Sequence, residues 1–268
     1  MRVLVTGCSR GIGRATAGEF AKRGHTVIAT ARRTASLESL RATERRALDI
    51  TDRAAVAALA EQVGAIDVLV NAAGGPLVAC PGEAHPLDDV RELFEVNVFG
   101  PWSLIQAFLP GMRERRLGTI VNVSSVIGRV ARPLRAAHSA SKFALEGLSE
   151  ALHYEVRHFG VRVLLVEPGG TQKEPGAEQM SWRQLAPAYG GLFDQHEAGD
   201  ARLSAATPAQ TADTVARAIV DAVEVDRERP AALRLRVGRD AETVLGARAA
   251  NGDAEFESKM RALLAMTW

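Results

Sequence analysis

Three glycines close to the start of the chain, in Thr6-Gly7-Cys8-Ser9-Arg10-Gly11-Ile12-Gly13, carry the first chemistry that residue types and spacing suggest. They follow the apolar run Val3, Leu4, Val5 and precede Ala15, Thr16, Phe20 and Ala21 at helical spacing, so they read as strand, phosphate loop and helix. Glycine permits the open backbone angles of such a turn, and bare main chain at a helix N-terminus admits a pyrophosphate. A second buried strand, Val27, Ile28 and Ala29, leads to Thr30, Ala31, Arg32 and Arg33, where a dinucleotide fold meets the adenosine ribose. An acidic residue there would bind a free 2′-hydroxyl. Guanidinium groups, with Arg10 adding a cation from the loop, favour a 2′-phosphate, so NADP(H) is expected in preference to NAD(H). A solvated basic turn is the competing reading of Arg32 and Arg33, and Arg10 weighs against it.

Further polar residues sit where strands end. Leu48, Asp49 and Ile50 are expected to close a third strand, with Asp49 touching an adenine edge, capping a helix over 53–63, or both. A fourth strand over 67–70 runs into Asn71, Ala72, Ala73, Gly74 and Gly75, small residues that leave a crevice for a ligand. Asn97 lies among Phe94, Val96 and Phe99. A buried amide without a partner costs roughly 1–3 kcal/mol, so Asn97 either satisfies the core or holds a water. A fifth strand over 119–123 delivers Ser124 and Ser125.

The positioning elements follow from periodicity. A loop is expected over 76–86, a helix from about Leu87, a long helix over 141–158 and a sixth strand over 161–166. An amphipathic helix over 211–225 precedes a seventh strand in which Leu233, Leu235 and Val237 alternate with Arg234 and Arg236 on a wet face, and a terminal helix fills 241–268. Strands alternating with helices of this length specify an α/β fold, a Rossmann-type doubly wound parallel sheet of about seven strands with its crevice at the carboxyl ends. A single domain over 1–268 is expected, with a lid at about 172–207 where Gln172, Lys173, Glu174, Trp182, Tyr189 and Phe193 stand among small residues.

Composition narrows the function class. With 33 basic against 32 acidic residues among 268, no nucleic-acid or membrane footprint is present, and a small-molecule substrate is expected. Cys8 and Cys80 lack metal-ligand spacing, so no metal is expected. No apolar run approaches the ~20 residues of a membrane span. Met1 leads directly into the first strand, from which a cytoplasmic, reducing location is expected.

Taken together, Thr6-Gly7-x-x-x-Gly11-x-Gly13, Asn71-Ala72-Ala73-Gly74, Asn97, Ser125, Lys142 and Pro168-Gly169-Gly170-Thr171 occur in the order of a known pattern. From Met1 to about Val225 the chain resembles a short-chain dehydrogenase/reductase. That resemblance implies a catalytic Asn, Ser, Tyr and Lys, hydride transfer from a nicotinamide, and Thr171 on its carboxamide. It extends the expected cofactor contacts to Ser9, Ile12, Ile50, Ala72, Ala73, Lys142, Pro168 and Gly169. It also implies a homodimer or homotetramer paired through helices around 87–108 and 141–158. The usual second Asn of the fourth-strand motif is Ala72 here.

The larger departure is the tyrosine. Four residues before Lys142, where Tyr-x-x-x-Lys would begin, the chain reads His138-Ser139-Ala140-Ser141-Lys142. Histidine can donate a proton, and its ordinary pKa of about 6.5 lies nearer neutrality than tyrosine's 10. Imidazole is shorter than phenol, though, and a Lys142 cation disfavours imidazolium. Three readings compete. His138 is the general acid for ketone reduction, directly or through a water; or Ser125, Lys142 or a substrate group handles the proton while His138 positions substrate; or the fold serves a non-redox dehydration, isomerisation, cyclisation or NADP-sensing role. Retention of Asn97, Ser125, Lys142 and the phosphate loop favours the first two, and an imidazolium acid predicts activity that falls near neutrality.

Overall fold

The computed structural model describes residues 1–172, 180–225, 232–264 and 266. In chain order the elements are β1 (Arg2–Val5), α1 (Gly11–Lys22), β2 (Thr26–Ala31), β3 (Glu44–Ala47), α2 (Arg53–Val63), β4 (Val68–Asn71) and β5 (Val78–Ala79). There follow α3 (Leu87–Phe94), α4 (Gly100–Glu114), β6 (Gly118–Val123), α5 (Ala136–Val156), β7 (Val161–Pro168) and β8 (Met180–Ser181). The chain continues through α6 (Gly190–Ala206), α7 (Ala212–Glu224), β9 (Arg234–Val237), α8 (Arg239–Ala250) and α9 (Asp253–Leu263).

Seven strands form one parallel sheet in the order β3-β2-β1-β4-β6-β7-β9, and β5 pairs with β8 in a separate two-stranded sheet. Alternate strand residues face opposite layers, as a period of two requires. Val3, Val5, Val27 and Val70 meet Phe20 of α1 and Val215 and Ile219 of α7. Leu4, Ile28, Leu69 and Ile120 meet Leu59 of α2, Leu104 and Met112 of α4, and Leu152 of α5. Burial on both faces is why the central strands are rich in Val, Ile and Leu, each buried Leu or Ile contributing about 1.5–3 kcal/mol.

Several boundaries differ from the sequence reading. The third strand is Glu44–Ala47, upstream of Leu48, Asp49 and Ile50, which lie in the turn beyond it. It is the sheet edge, and the charges of Glu44, Arg45 and Arg46 on an edge mask its apolar signal. The loop expected over 76–86 contains β5. The long helix begins at Ala136, so His138 sits in its first turn. The face of β9 read as wet carries a partly buried ion-pair network, in which Arg234 reaches Glu146 (3.0 Å), Glu150 (2.6 Å) and the fully buried Glu167 (3.3 Å). The tail forms two helices, separated at Asn251 and Gly252. Of the expected lid, residues 173–179, including Lys173 and Glu174, lie outside the described residues; 180–206 form β8, two short 3-10 turns and α6.

Candidate active site

The strand order reverses between β1 and β4, and a cleft of about 1300 Å³ opens at their carboxyl ends. Gly7 has a φ of 71°, and a Cβ there would lie 2.7 Å from the Cα of Ala73. A Cβ on Gly13 would lie 2.6 Å from the Gly7 carbonyl, so only bare backbone lets the turn close against β4 and α1 pack onto it. At Gly11 (φ 60°) an added Cβ would meet nothing within 4 Å. Arg10 does not cap α1 with its side chain, and Gly11 and Ile12 of the first turn of α1 line the cleft. Thr6 ties the two strand ends together, its hydroxyl accepting from the amides of Ala72 (3.1 Å) and Ala73 (3.2 Å). Burial pushes the Cys8 thiol up to about 12, leaving it a structural residue of the loop.

Arg10, Arg32 and Arg33 line one end of this cleft and are exposed; among the described residues none of the three forms an ion pair. Asp49 lies with them. It accepts from the amide (3.0 Å) and hydroxyl (2.8 Å) of Thr51, bonds that hold its carboxyl below the usual carboxylate range, with Arg32 adding to the effect. Its expected alternative role as cap of the 53–63 helix is corrected. Asp52 performs it, accepting from Ala54 (2.9 Å) and Ala55 (3.0 Å), because a capping side chain must stand two or three residues before the amides it satisfies.

Toward the other end, α3 and α4 are joined through a π-helical turn, Glu95–Phe99, which turns Asn97 inward. Asn97 is fully buried. Its Oδ1 accepts from the Gly75 amide (3.0 Å), its Nδ2 donates to Ser141 Oγ (2.9 Å), and Ser141 donates to the His138 carbonyl (2.8 Å). The amide thereby pins the crevice loop to the first turn of α5. Lys142, 7% exposed, donates from Nζ to the carbonyl of Val123 (2.8 Å), a cleft residue at the end of β6. Desolvation brings its ammonium down to about 8. Ser125 follows β6, its Oγ accepting from the Ile127 amide (3.3 Å).

His138 lines the cleft one helical turn before Lys142. Burial, then the Lys142 charge, then Arg135 lower its pKa to about 3, against a hydrogen bond to the Pro76 carbonyl that works the other way. That bond requires a ring N–H, and Nδ1 is buried without a partner, so the proton resides on Nε2. Burial and its cationic neighbours thus favour the neutral imidazole over imidazolium.

Of the residues singled out in the sequence, Gly7, Ser9, Arg10, Gly11, Ile12, Arg32, Arg33, Asp49, Ile50, Ala72, Ala73, Gly74 and His138 border the cleft. Gly13, Asn71, Asn97, Ser125, Lys142, Pro168, Gly169 and Thr171 do not. The Asn71 amide is committed to Asn122 Oδ1 (2.8 Å), and Asn122 in turn donates to Ser149 (2.8 Å), a buried chain joining β4, β6 and α5. The loop after β7 is held by Asp240, which the sequence reading missed: its carboxylate accepts from the Gly170 amide (2.6 Å), and a Cβ on Gly169 would fall 2.0 Å from it. Seventy residues separate the partners, and no local pattern reports such a contact. Also missed was His85, whose ring meets that of the expected lid residue Trp182 edge-on (5.2 Å, 62°) on the cleft wall. Trp182 is placed there by its amide bond to the Ala79 carbonyl (3.0 Å).

Residues 1–184 match the family described as short chain dehydrogenase. The chain belongs to the short-chain dehydrogenase family. It is 37% identical over 171 residues to a 3-ketodihydrosphingosine reductase of Bacteroides thetaiotaomicron, the match covering 62% of each chain. An oxidoreductase, BOA17, of Botryotinia fuckeliana is 33% identical over 251 residues, covering 89% of each chain. The match spans less than two thirds of some curated relatives, 58% in the case of human retinol dehydrogenase 8. Among solved structures, a short-chain dehydrogenase from Streptomyces avermitilis superposes with a TM-score of 0.80 at 34% identity, covering 99% of this chain and 98% of its own. A metagenomic short-chain oxidoreductase in complex with NADP superposes at 0.69 with 29% identity, covering 88% of this dehydrogenase-family chain and 96% of its own.

Proposed function

We propose that this protein reduces a ketone to a secondary alcohol with NADPH, and that Lys142 supplies the proton. Gly7 and Gly11 would cradle the pyrophosphate, with Gly13 letting α1 close onto the turn, and Arg10, Arg32 and Arg33, which form no ion pair among the described residues, would hold a 2′-phosphate, consistent with the NADP found in the metagenomic relative. When bound, the reduced nicotinamide supplies the hydride and its electron pair to the carbonyl carbon. The carbonyl oxygen must then gain one proton, and the best donor has a pKa near the working pH. Lys142 is held by the carbonyl of the cleft residue Val123 (2.8 Å), and this placement carries the reading; burial brings its ammonium down to about 8, which meets the condition where His138, at about 3, does not.

Ser125 offers a hydroxyl to the substrate oxygen and to a proton passing from Lys142 through it or a water. His138, neutral, positions substrate, its free Nδ1 able to accept from a substrate hydroxyl. Of the sequence-based readings, the second is thus favoured over an imidazolium acid. The His85–Trp182 pair suits a flat or heterocyclic substrate, residues 172–207 serve as the lid, and the exposed Phe99, Trp102 and Phe143 are where helices α4 and α5 would pair two copies of the chain. NADPH absorbance followed over a panel of ketones, for wild type, His138→Ala and Lys142→Met, tests this directly. Oxidation that survives in His138→Ala but not in Lys142→Met is expected. Substrate binding or turnover without NADPH consumption would favour a non-redox role.

A further inference from the structure

Beside His138, under α6, lies a group of charges that the proposed reduction leaves unexplained. Arg135 immediately precedes α5 and is 5% exposed, and its Nη1 is buried without a hydrogen-bond partner. Among the described residues it forms no ion pair. The nearby acid is Asp200 of α6, and it is already shared: Arg132 pairs with its Oδ1, and His196 Nε2 lies 3.5 Å from its Oδ2. Arg132 Nε is also buried without a partner. Burial depresses the proton affinity of both His138 and His196, so neither adds charge near neutral pH. Among the described residues, two guanidiniums against one carboxylate leave one positive charge, unbalanced and desolvated.

The placement connects that charge to the cleft. A backbone bridge pairs Arg135 with Cys80, next in the chain after β5, whose Val78 lines the cleft. His138 stands three residues on, in the first turn of α5, which Arg135 precedes as the N-cap residue. The two groups are close enough for the Arg135 charge to bear on the imidazole. A buried guanidinium without an anion is unfavourable, whereas a planar carboxylate matches its fork with two parallel hydrogen bonds. One unbalanced charge matches a carboxylate rather than a doubly charged phosphate.

We propose that Arg135 is a specificity-determining residue that receives the carboxylate of an oxo-acid substrate at the lid-side end of the cleft. This rests on the ketone-reductase reading above and names its substrate class. Entry of the acid between residues 132–138 and α6 requires α6 to shift.

The test uses 2-oxo and 4-oxo phenyl-substituted carboxylic acids, each paired with its methyl ester, and the protein saturated with NADP+ or NADPH. Calorimetric binding and NADPH oxidation are both recorded for wild type, Arg135→Lys and Arg135→Gln. Wild type should bind at least one acid tenfold or more tightly than its ester. Arg135→Gln should erase that preference with NADPH affinity unchanged, and Arg135→Lys should retain part of it. Equal affinity for every acid and ester, or a preference that persists in Arg135→Gln, overturns the proposal. Binding of acids without NADPH oxidation would leave the anion site standing and refute the reductase reading, so the two fail separately. Thermal melting shows that the glutamine variant folds, and removal of an unpaired buried cation should leave its Tm equal to or above wild type.

Discussion

Acidification should expose the cost of holding His138 neutral. In the unfolded chain His138 titrates near 6.5, and in the folded protein near 3. Between those values the unfolded state binds one more proton than the folded state, so stability is lost as pH falls through 6.5 toward 3. At about 1.4 kcal/mol per pH unit, the step from pH 7 to 4.5 should cost roughly 2–3 kcal/mol through this residue alone. Glutamine at 138 can donate to the Pro76 carbonyl but cannot titrate. Urea unfolding at both pH values, for wild type and His138→Gln, isolates the residue from the other groups that titrate in the same range. A loss smaller by roughly 2 kcal/mol in the variant is expected. Equal losses in the two proteins would show that the imidazole is not desolvated as described, and the case against an imidazolium acid would fall with it.

Other perturbations probe other parts of the site. For ketone reduction, kcat/KM should stay level from pH 5.5 to 7 and decline above about pH 8 as Lys142 loses its proton. Lys142→Met should lower kcat by about 10²–10⁴-fold at pH 7, measured by NADPH absorbance. Replacing both Arg32 and Arg33 with Ala should weaken NADPH binding by about 10–100-fold, the worth of one charge-assisted hydrogen bond, and leave NADH unchanged in a fluorescence titration. Gly169→Ala places a methyl against Asp240 and should lower Tm by several degrees; Asp240→Ala in the same chain should restore part of the loss, a coupling that a double-mutant cycle reads.

How much of this was legible in the sequence depends on how local each signal is. The central strands β1, β2, β4, β6 and β7 announce themselves because burial on both faces favours short runs of Val, Ile and Leu. The glycine loop is equally legible as a short motif, Gly7 and Gly13 being set by close contacts and Gly11 by its positive φ. By contrast β3 is hidden by its edge charges, and β5 and β8 are two-residue strands whose partners lie about a hundred residues apart. Asp52 and Asp49 are chemically equivalent caps on paper, and only the helix start separates them. His138 was visible as a substitution. Its charge state was not, since that depends first on burial, then on the Lys142 that spacing revealed, and then on Arg135. The Asp240 clamp and the unpaired Arg135 are tertiary facts with no sequence period to betray them.

Titration calorimetry of the purified protein with NADPH and, separately, NADH bears on the proposed activity most directly. A reductase with the cleft described here takes up NADPH with one site per chain and at least tenfold more tightly than NADH. Uptake of neither dinucleotide would contradict the proposed chemistry outright, and equal affinity for both would remove the role given to Arg10, Arg32 and Arg33.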